Sequence, residues 1–296
     1  MPGLVIRGAE VQIPGLRIVN YFDDPALALR VGLTSNDDGR PRADDAPITL
    51  IVIHTTKGYP DPQHPSAAQK LAPGGRHAGA GPAAAAFWAG SPLQSGAPLV
   101  IDGDGGVSCL ADLQRTIGYH AGVVNGRSIG IECWQESDGT IWQATVDAAV
   151  LLVDVLTALF GVQRGFPTSS GRYYLGHPLK RLEEGGRDLF GVVGHRDVTD
   201  TRGAGDPGDF FFDALRAAGY EGWQYHLSED RIHWGRRQSK LNADHGAGLT
   251  VDGIPGQATM RALEAAGRPM GQWVPRPIDI PLARLLGRPL PAEQPE

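Results

Sequence analysis

The chain has 296 residues, 41% hydrophobic and 20% charged, a balance that suits one large folded domain, or one with a small companion, and excludes a largely disordered chain. A formal net charge of −6 gives no overall attraction to nucleic acid or to an anionic membrane, so a protein working through a broad basic groove is not expected. Its two cysteines, Cys109 and Cys133, are too few for a disulfide-stapled scaffold and lack the close pairing of a structural zinc site.

The N-terminus, "MPGLVIRGAEVQIPG", shows no basic stretch leading into an apolar one, so synthesis in the cytoplasm without a signal peptide is expected. "GLVIRG" and "LRIVNYF" are short and β-prone, and "SNDDGRPRADDAP" is a polar, turn-rich loop; residues 1–46 read as an N-terminal extension packing on the domain that begins at residue 47. "ITLIVIH" is a continuous β-branched run that suits a strand buried on both faces. It delivers His54 at its C-terminal end, where α/β sheets carry their sites. "APLVIDGDGGVSCLAD" predicts two strands around an Asp/Gly turn; its "GDGG" lacks the lysine and helix of a phosphate loop. "SIGIECW" predicts another strand, with an acid, Glu132, among apolar neighbours.

From residue 142 to about 160, apolar residues recur at helical spacing. Asp147 and Asp154 interrupt the run, which argues for a buried helix and against membrane insertion. "RGFPTSSGRYYLGHPLKRLEEGGRD" reads as an irregular insertion before the strand "LFGVVGH", and "DFFFDALRAAGY" as a short amphipathic helix closing a domain that spans 47–222. Residues 223–285 then read as helix, Gly-containing loop and helix, with apolar surface for only a small all-α module, and 286–296 as a disordered tail.

His54 and His195 stand at the ends of separate apolar strands, and "GVVGHRDVTDTRGAGDPG" follows His195 with several acids. Two imidazoles and a carboxylate are a set that zinc accepts, with a fourth position for water and hydroxide available near neutral pH. Asp206 supplies the carboxylate in this reading, with Asp197 and Asp200 as competitors; no short motif such as HExxH links the ligands.

Three blocks, "IVIHTT", "GYHAGVVNGRSIGIECW" and "GHRDVTDTRGAGDPGDFF", occur in an order that resembles the zinc-dependent N-acetylmuramoyl-L-alanine amidases, the group akin to peptidoglycan recognition proteins and phage lysozyme-type amidases. The resemblance spans residues 48–215. It implies an α/β fold with a mixed β-sheet flanked by helices, and cleavage of the amide between the lactyl group of muramic acid and L-alanine. Residue by residue, it implies zinc ligands His54, His195 and Asp206, and Glu132 as the acid that orients or deprotonates the attacking water. His120, in "YHAG", falls where the family has a cleft histidine and is assigned to substrate contact. His64, His77, His177, His226, His233 and His245 lack matching context and read as exposed or structural.

The chain departs from the pattern at Ala204, where many relatives carry an oxyanion-stabilising lysine, and Arg202 is the candidate replacement. Pro98 and Leu99 stand where an aromatic often lies near the metal. Farther on, "RRQSKLNADHGAGLTVDGIPGQATMRAL" resembles the small helical peptidoglycan-binding repeat, with Leu249, Val251, Ile254 and Leu263 as its mini-core and Asp252 with Gly253 as its turn. The reading is therefore a monomeric zinc amidase with a wall-binding module, acting on bacterial peptidoglycan after release or delivery, in the manner of an endolysin or an injected effector. A non-catalytic peptidoglycan receptor and a cytoplasmic muropeptide-recycling amidase are the alternatives.

Overall fold

The computed structural model describes residues 2–29, 42–56, 69–90, 96–168, 189–198, 205–224, 229–249, 251 and 257–266. The "LIVIHT" run forms β4 (Leu50–Thr55), and all six of its residues are buried, as a β-branched strand in the middle of a covered sheet requires. Two strands flank it in parallel, β11 (Gly191–Gly194) on one side and β8 (Ser128–Cys133) on the other. Beyond β8 lies β6 (Leu99–Ile101), also parallel, which turns back through the Asp/Gly hairpin into antiparallel β7 (Val107–Cys109). The edge strand is β3 (Ile18–Asn20), parallel to β7. The sheet is thus mixed, six-stranded among the described residues, in the order β11-β4-β8-β6-β7-β3.

Alternation along the strands sends two sets of side chains to opposite faces. Ile51, Ile53, Leu99, Ile101, Ile129, Ile131 and Val192 share one core with α2 (Gln143–Phe160) and α4 (Asp209–Ala217). From α2 this core takes Val146, Ala149, Leu152, Val153 and Leu156, each larger side chain contributing about 1.5–3 kcal/mol by burial. The apolar run with its two aspartates is therefore a core helix packed on the sheet. Leu50, Val52 and Val193 face the other way, in a cluster with Ala121, Val124, Leu189 and Val198. On that same face Val100 joins α1 (Ala80–Gly90), Leu27 and Leu29 in a third cluster. His54 continues the Leu50, Val52 series, so it belongs to the face lying between these two apolar clusters.

The N-terminal segment supplies more than β3. Leu4 and Val5 of β1 (Leu4–Ile6) enter the main core, and β1 pairs with β2 (Ala9–Val11) through a two-residue turn. Arg7 and Gly8 take φ of 53° and 77°, the left-handed pair of a type I′ hairpin, and Asp112 accepts both turn amides at 3.0 and 2.7 Å. Within the polar stretch before β4, Arg42 is buried and donates to the carbonyls of Leu113, Asn125, Gly126 and Ser128 at 2.9–3.1 Å. It thereby fixes the 3-10 segment Gly122–Arg127 that leads into β8.

Smaller parallel pairs join β5 (Lys70–Ala72) to β9 (Thr140–Trp142) and β10 (Gly165–Thr168) to β12 (Glu221–Gln224). β12 runs two residues past the boundary expected at 222 and pairs with β10 as far as Gln224. The insertion expected after β10 falls on residues 169–188, outside the described ones. In the C-terminal segment, α5 (Glu229–His245) and α6 (Gln257–Ala265) pack through Leu241 and Leu263, with Leu249 and Ala262 against them. A buried hydrogen bond from Gln238 Nε2 to Thr259 Oγ1, 3.1 Å, ties the two helices, and Asn242 exchanges two 2.7 Å bonds with the backbone of Leu249. Leu249 and Leu263 of the expected mini-core are in this cluster and Val251 is half-buried. Asp252, Gly253, Ile254 and the tail 286–296 lie outside the described residues.

Candidate metal centre

The strand ladder assembles the site from residues far apart in sequence. Register in the β4–β8 pair sets His54 opposite Glu132, and in the β11–β4 pair sets Gly194 opposite Ile53. His195, the next residue, therefore comes level with His54 as the first residue of the short helix α3 (His195–Val198), and the two imidazole centroids stand 4.2 Å apart. Asp206 reaches them from the loop before α4. Its Oδ2 lies 2.9 Å from His195 Nδ1, its Oδ1 accepts the Thr55 N–H at 2.8 Å, and its backbone carbonyl accepts the Arg196 N–H at 2.7 Å.

Potential ligand atoms of His54, His195 and Asp206 all lie within 4.8 Å of one another, and the three residues are only 2%, 8% and 1% exposed. Bonds of about 2.0–2.2 Å to one zinc would bring such donors to roughly 3–4 Å from each other. A carboxylate this deeply buried requires a positive or hydrogen-bonding partner. Here the Thr55 N–H and the His195 ring nitrogen are such partners, a cation shared with His195 would be another, and two imidazoles with one carboxylate fit zinc in donor chemistry.

His120 lies against this set. Its Nδ1 is 2.9 Å from His54 Nε2 and its Nε2 is 3.3 Å from Ser128 Oγ, so both ring nitrogens have protein partners. Asn125 Oδ1 accepts the backbone N–H groups of His120 and Ala121 at 3.1 and 2.7 Å and so orients the ring. Burial, reinforced by the nearby charges of His195 and Arg42, pushes the His120 pKa down to about 3, and the imidazole is neutral at physiological pH. Glu132, half-buried on β8, stands beside His54 on the same face. Burial, with the charges of Glu132 and Asp206, raises the Cys133 thiol well above its usual range, and burial lifts Cys109 to about 11.

Asp197 is buried but turns its carboxylate back to accept the Gly194 N–H at 3.1 Å, and it is not among the converging donors. Asp200, Arg202 and Ala204 lie outside the described residues, as do His64, His177 and His226. His77 is exposed, with Nδ1 3.2 Å from Asp102 and 3.4 Å from Asp104. Those two carboxylates already receive the Ala78, Ala80, Gly103 and Gly106 amides and the Arg17 guanidinium, bonds that hold the hairpin to the start of α1.

Sequence reasoning passed over the residues that shape the site from behind: Thr55, Asn125, Gly130 and Arg42. Gly130 carried a readable signal, because a lone glycine inside an apolar strand marks a close approach. Arg42 carried none, lying in a polar stretch that reads as solvent-exposed loop.

A family model described as N-acetylmuramoyl-L-alanine amidase matches residues 44–209, a span that contains His54, His120, Glu132, His195 and Asp206. Among solved structures, the N-acetylmuramoyl-L-alanine amidase LysC from Clostridium intestinale URNW is similar at 17% identity, over 70% of this chain and 97% of that one, with a TM-score of 0.37. A selenomethionine derivative of AmpD is similar at 17% identity over 72% of this chain and 98% of that one, TM-score 0.39. A mutant of Drosophila PGRP-LB in complex with tracheal cytotoxin gives 16%, 69% and 96%, TM-score 0.38. No curated protein matches the chain.

Proposed function

The chain belongs to the N-acetylmuramoyl-L-alanine amidase family, and from that premise we propose that it hydrolyses the muramoyl–L-alanine amide of peptidoglycan with zinc held by His54, His195 and Asp206. The observation that carries this reading is the convergence of those three buried side chains beside Glu132 at the ends of the central strands. A bound zinc ion would supply Lewis acidity, lowering the pKa of a water and polarising the amide carbonyl.

The protein's own groups supply the rest. Glu132 accepts a proton from the attacking water as its oxygen bonds to the carbonyl carbon, and returns that proton to the alanine nitrogen as the C–N bond breaks. The products are a lactyl carboxylate and an alanine ammonium group, the acid proton of the new carboxyl passing to the amine. His120 sets its Nδ1 against Nε2 of His54 at 2.9 Å and its Nε2 against Ser128 Oγ at 3.3 Å; for His54 to keep its Nδ1 lone pair for a cation, its Nε2 must carry the proton that His120 accepts. That chain of hydrogen bonds orients His54, a positioning role beside the substrate contact expected for His120.

The helical pair α5–α6 fits a wall-binding module that keeps the enzyme on polymeric substrate, in an endolysin-like or effector-like setting. The test is to incubate the purified chain with peptidoglycan and assay new termini. Free L-alanine amino groups support the reading; new reducing sugars, or no cleavage with zinc bound, would replace it with a glycosidase or a receptor.

A further inference from the structure

Gln69 lies outside the donor set, yet its side-chain amide meets the chain on both sides of Asp206. Nε2 lies within hydrogen-bond reach of three oxygens, Thr55 Oγ1 at 3.0 Å, Gln135 Oε1 at 3.1 Å and the carbonyl of Gly205, which share its two hydrogens. Oε1 occupies the place that a Cβ on Gly208 would take. Thr55 completes the bracket, giving its backbone N–H to Asp206 Oδ1 at 2.8 Å and its hydroxyl to the Gly205 carbonyl at 3.2 Å. Gln135, buried, is itself fixed to the end of β4 by a 3.0 Å bond from its N–H to Thr56 Oγ1. One planar amide thus joins the end of β4, the continuation of β8 and the loop 205–208.

The surroundings ask for a donor. Three oxygens face Nε2, and a carboxylate or an apolar group at position 69 would leave the buried Gly205 carbonyl short of that donor. We propose that Gln69 is a positioning residue for the third metal ligand, holding the Gly205–Gly208 stretch so that the Asp206 carboxylate faces His195 and His54 before a cation arrives. Without it the loop samples other arrangements, and affinity falls by the fraction of time the ligand is misplaced. The inference rests on the zinc reading of the His54, His195 and Asp206 set.

The experiment is zinc binding to the full chain by competition with a chelating fluorescent indicator, with the melting temperature of the zinc-free protein measured alongside. Gln69→Leu keeps size and removes the donor, and zinc affinity is expected to fall roughly 10–100-fold, the range for groups that orient ligands. At saturating zinc its turnover should return to near the parent value, because Gln69 touches none of the reacting groups. Parent-like zinc affinity in the folded variant, or a turnover defect that persists at saturating zinc, overturns the proposal. If Gln69→Leu does not fold, Gly208→Ala displaces the same amide from the opposite side, and an unchanged affinity there overturns it equally. A parent chain that binds no zinc would defeat the metal reading and this proposal with it, an outcome distinct from a parent that binds and variants that bind as well.

Discussion

The imidazole of His120 fills the space that a side chain on Gly130 would occupy: a Cβ at that position would stand 2.6 Å from Nδ1 and 2.7 Å from Cγ of the ring. Gly130 lies between Ser128 and Glu132 on the site face of β8, so the strand itself provides the recess in which His120 reaches His54. Gly130→Ala should push the ring off the strand, destabilise the protein by about 1–3 kcal/mol through overpacking, and lower activity. Denaturant unfolding and turnover are to be measured together; a variant with parental stability and activity would show that the ring has room to move.

For the donor set, His195→Ala removes one ligand and also the partner of a carboxylate that is 1% exposed. Both zinc retention, measured as metal per chain after dialysis, and hydrolysis should be lost. Chelation should abolish the parent activity, and added zinc should restore it. Full zinc in the His195→Ala protein would show that the ligands are other residues.

Glu132→Gln preserves shape and removes the proton acceptor. Hydrolysis should fall by roughly two to four orders of magnitude while zinc remains bound, which separates proton transfer from metal binding. Near-normal turnover of the zinc-loaded variant would place the base elsewhere.

How far the site could be read beforehand differs among its parts for physical reasons. The strands bearing His54 and Glu132 were legible because β-branched runs announce a doubly covered sheet, whereas the fold class, a mixed sheet flanked by helices, came from the family resemblance of the three motif blocks. The competition between Asp197 and Asp206 was not decidable from spacing: α3 begins at His195 and turns Asp197 back onto the Gly194 amide, a local hydrogen bond that no periodicity announces. Likewise β3 is only three residues long and gains its place by pairing with β7, so a short β-prone piece read as part of an extension becomes the edge of the main sheet. Arg42 and Gln69 act through backbone carbonyls, and partners of that kind leave no mark in side-chain patterning.

Cys109 and Cys133 are both fully buried, and burial holds each as a neutral thiol, the first with a pKa near 11. Neither should react with a thiol reagent in the native protein at pH 8, and both should react on unfolding. Rapid modification of a cysteine in the folded chain would contradict this packing.

The last prediction concerns the helical pair. The described part of α5–α6 carries a small core of its own, Leu241 against Leu263, and adds none of the donor groups around His54. Tethering raises the effective concentration of an enzyme at an insoluble substrate without altering the bond-breaking step. The cut that tests this belongs after Gln224 and not after 222, because β12 continues to Gln224 in its pairing with β10 and an earlier cut would damage the first unit. The truncated protein should keep zinc and cleave small soluble muropeptides at nearly the intact rate, while its binding to whole sacculi and its activity on them both drop. Intact and truncated proteins are to be compared on both substrates. Unchanged sacculus binding, or equal losses on small and large substrates, would mean that the helical pair supports folding or the catalytic unit and does not recognise the wall.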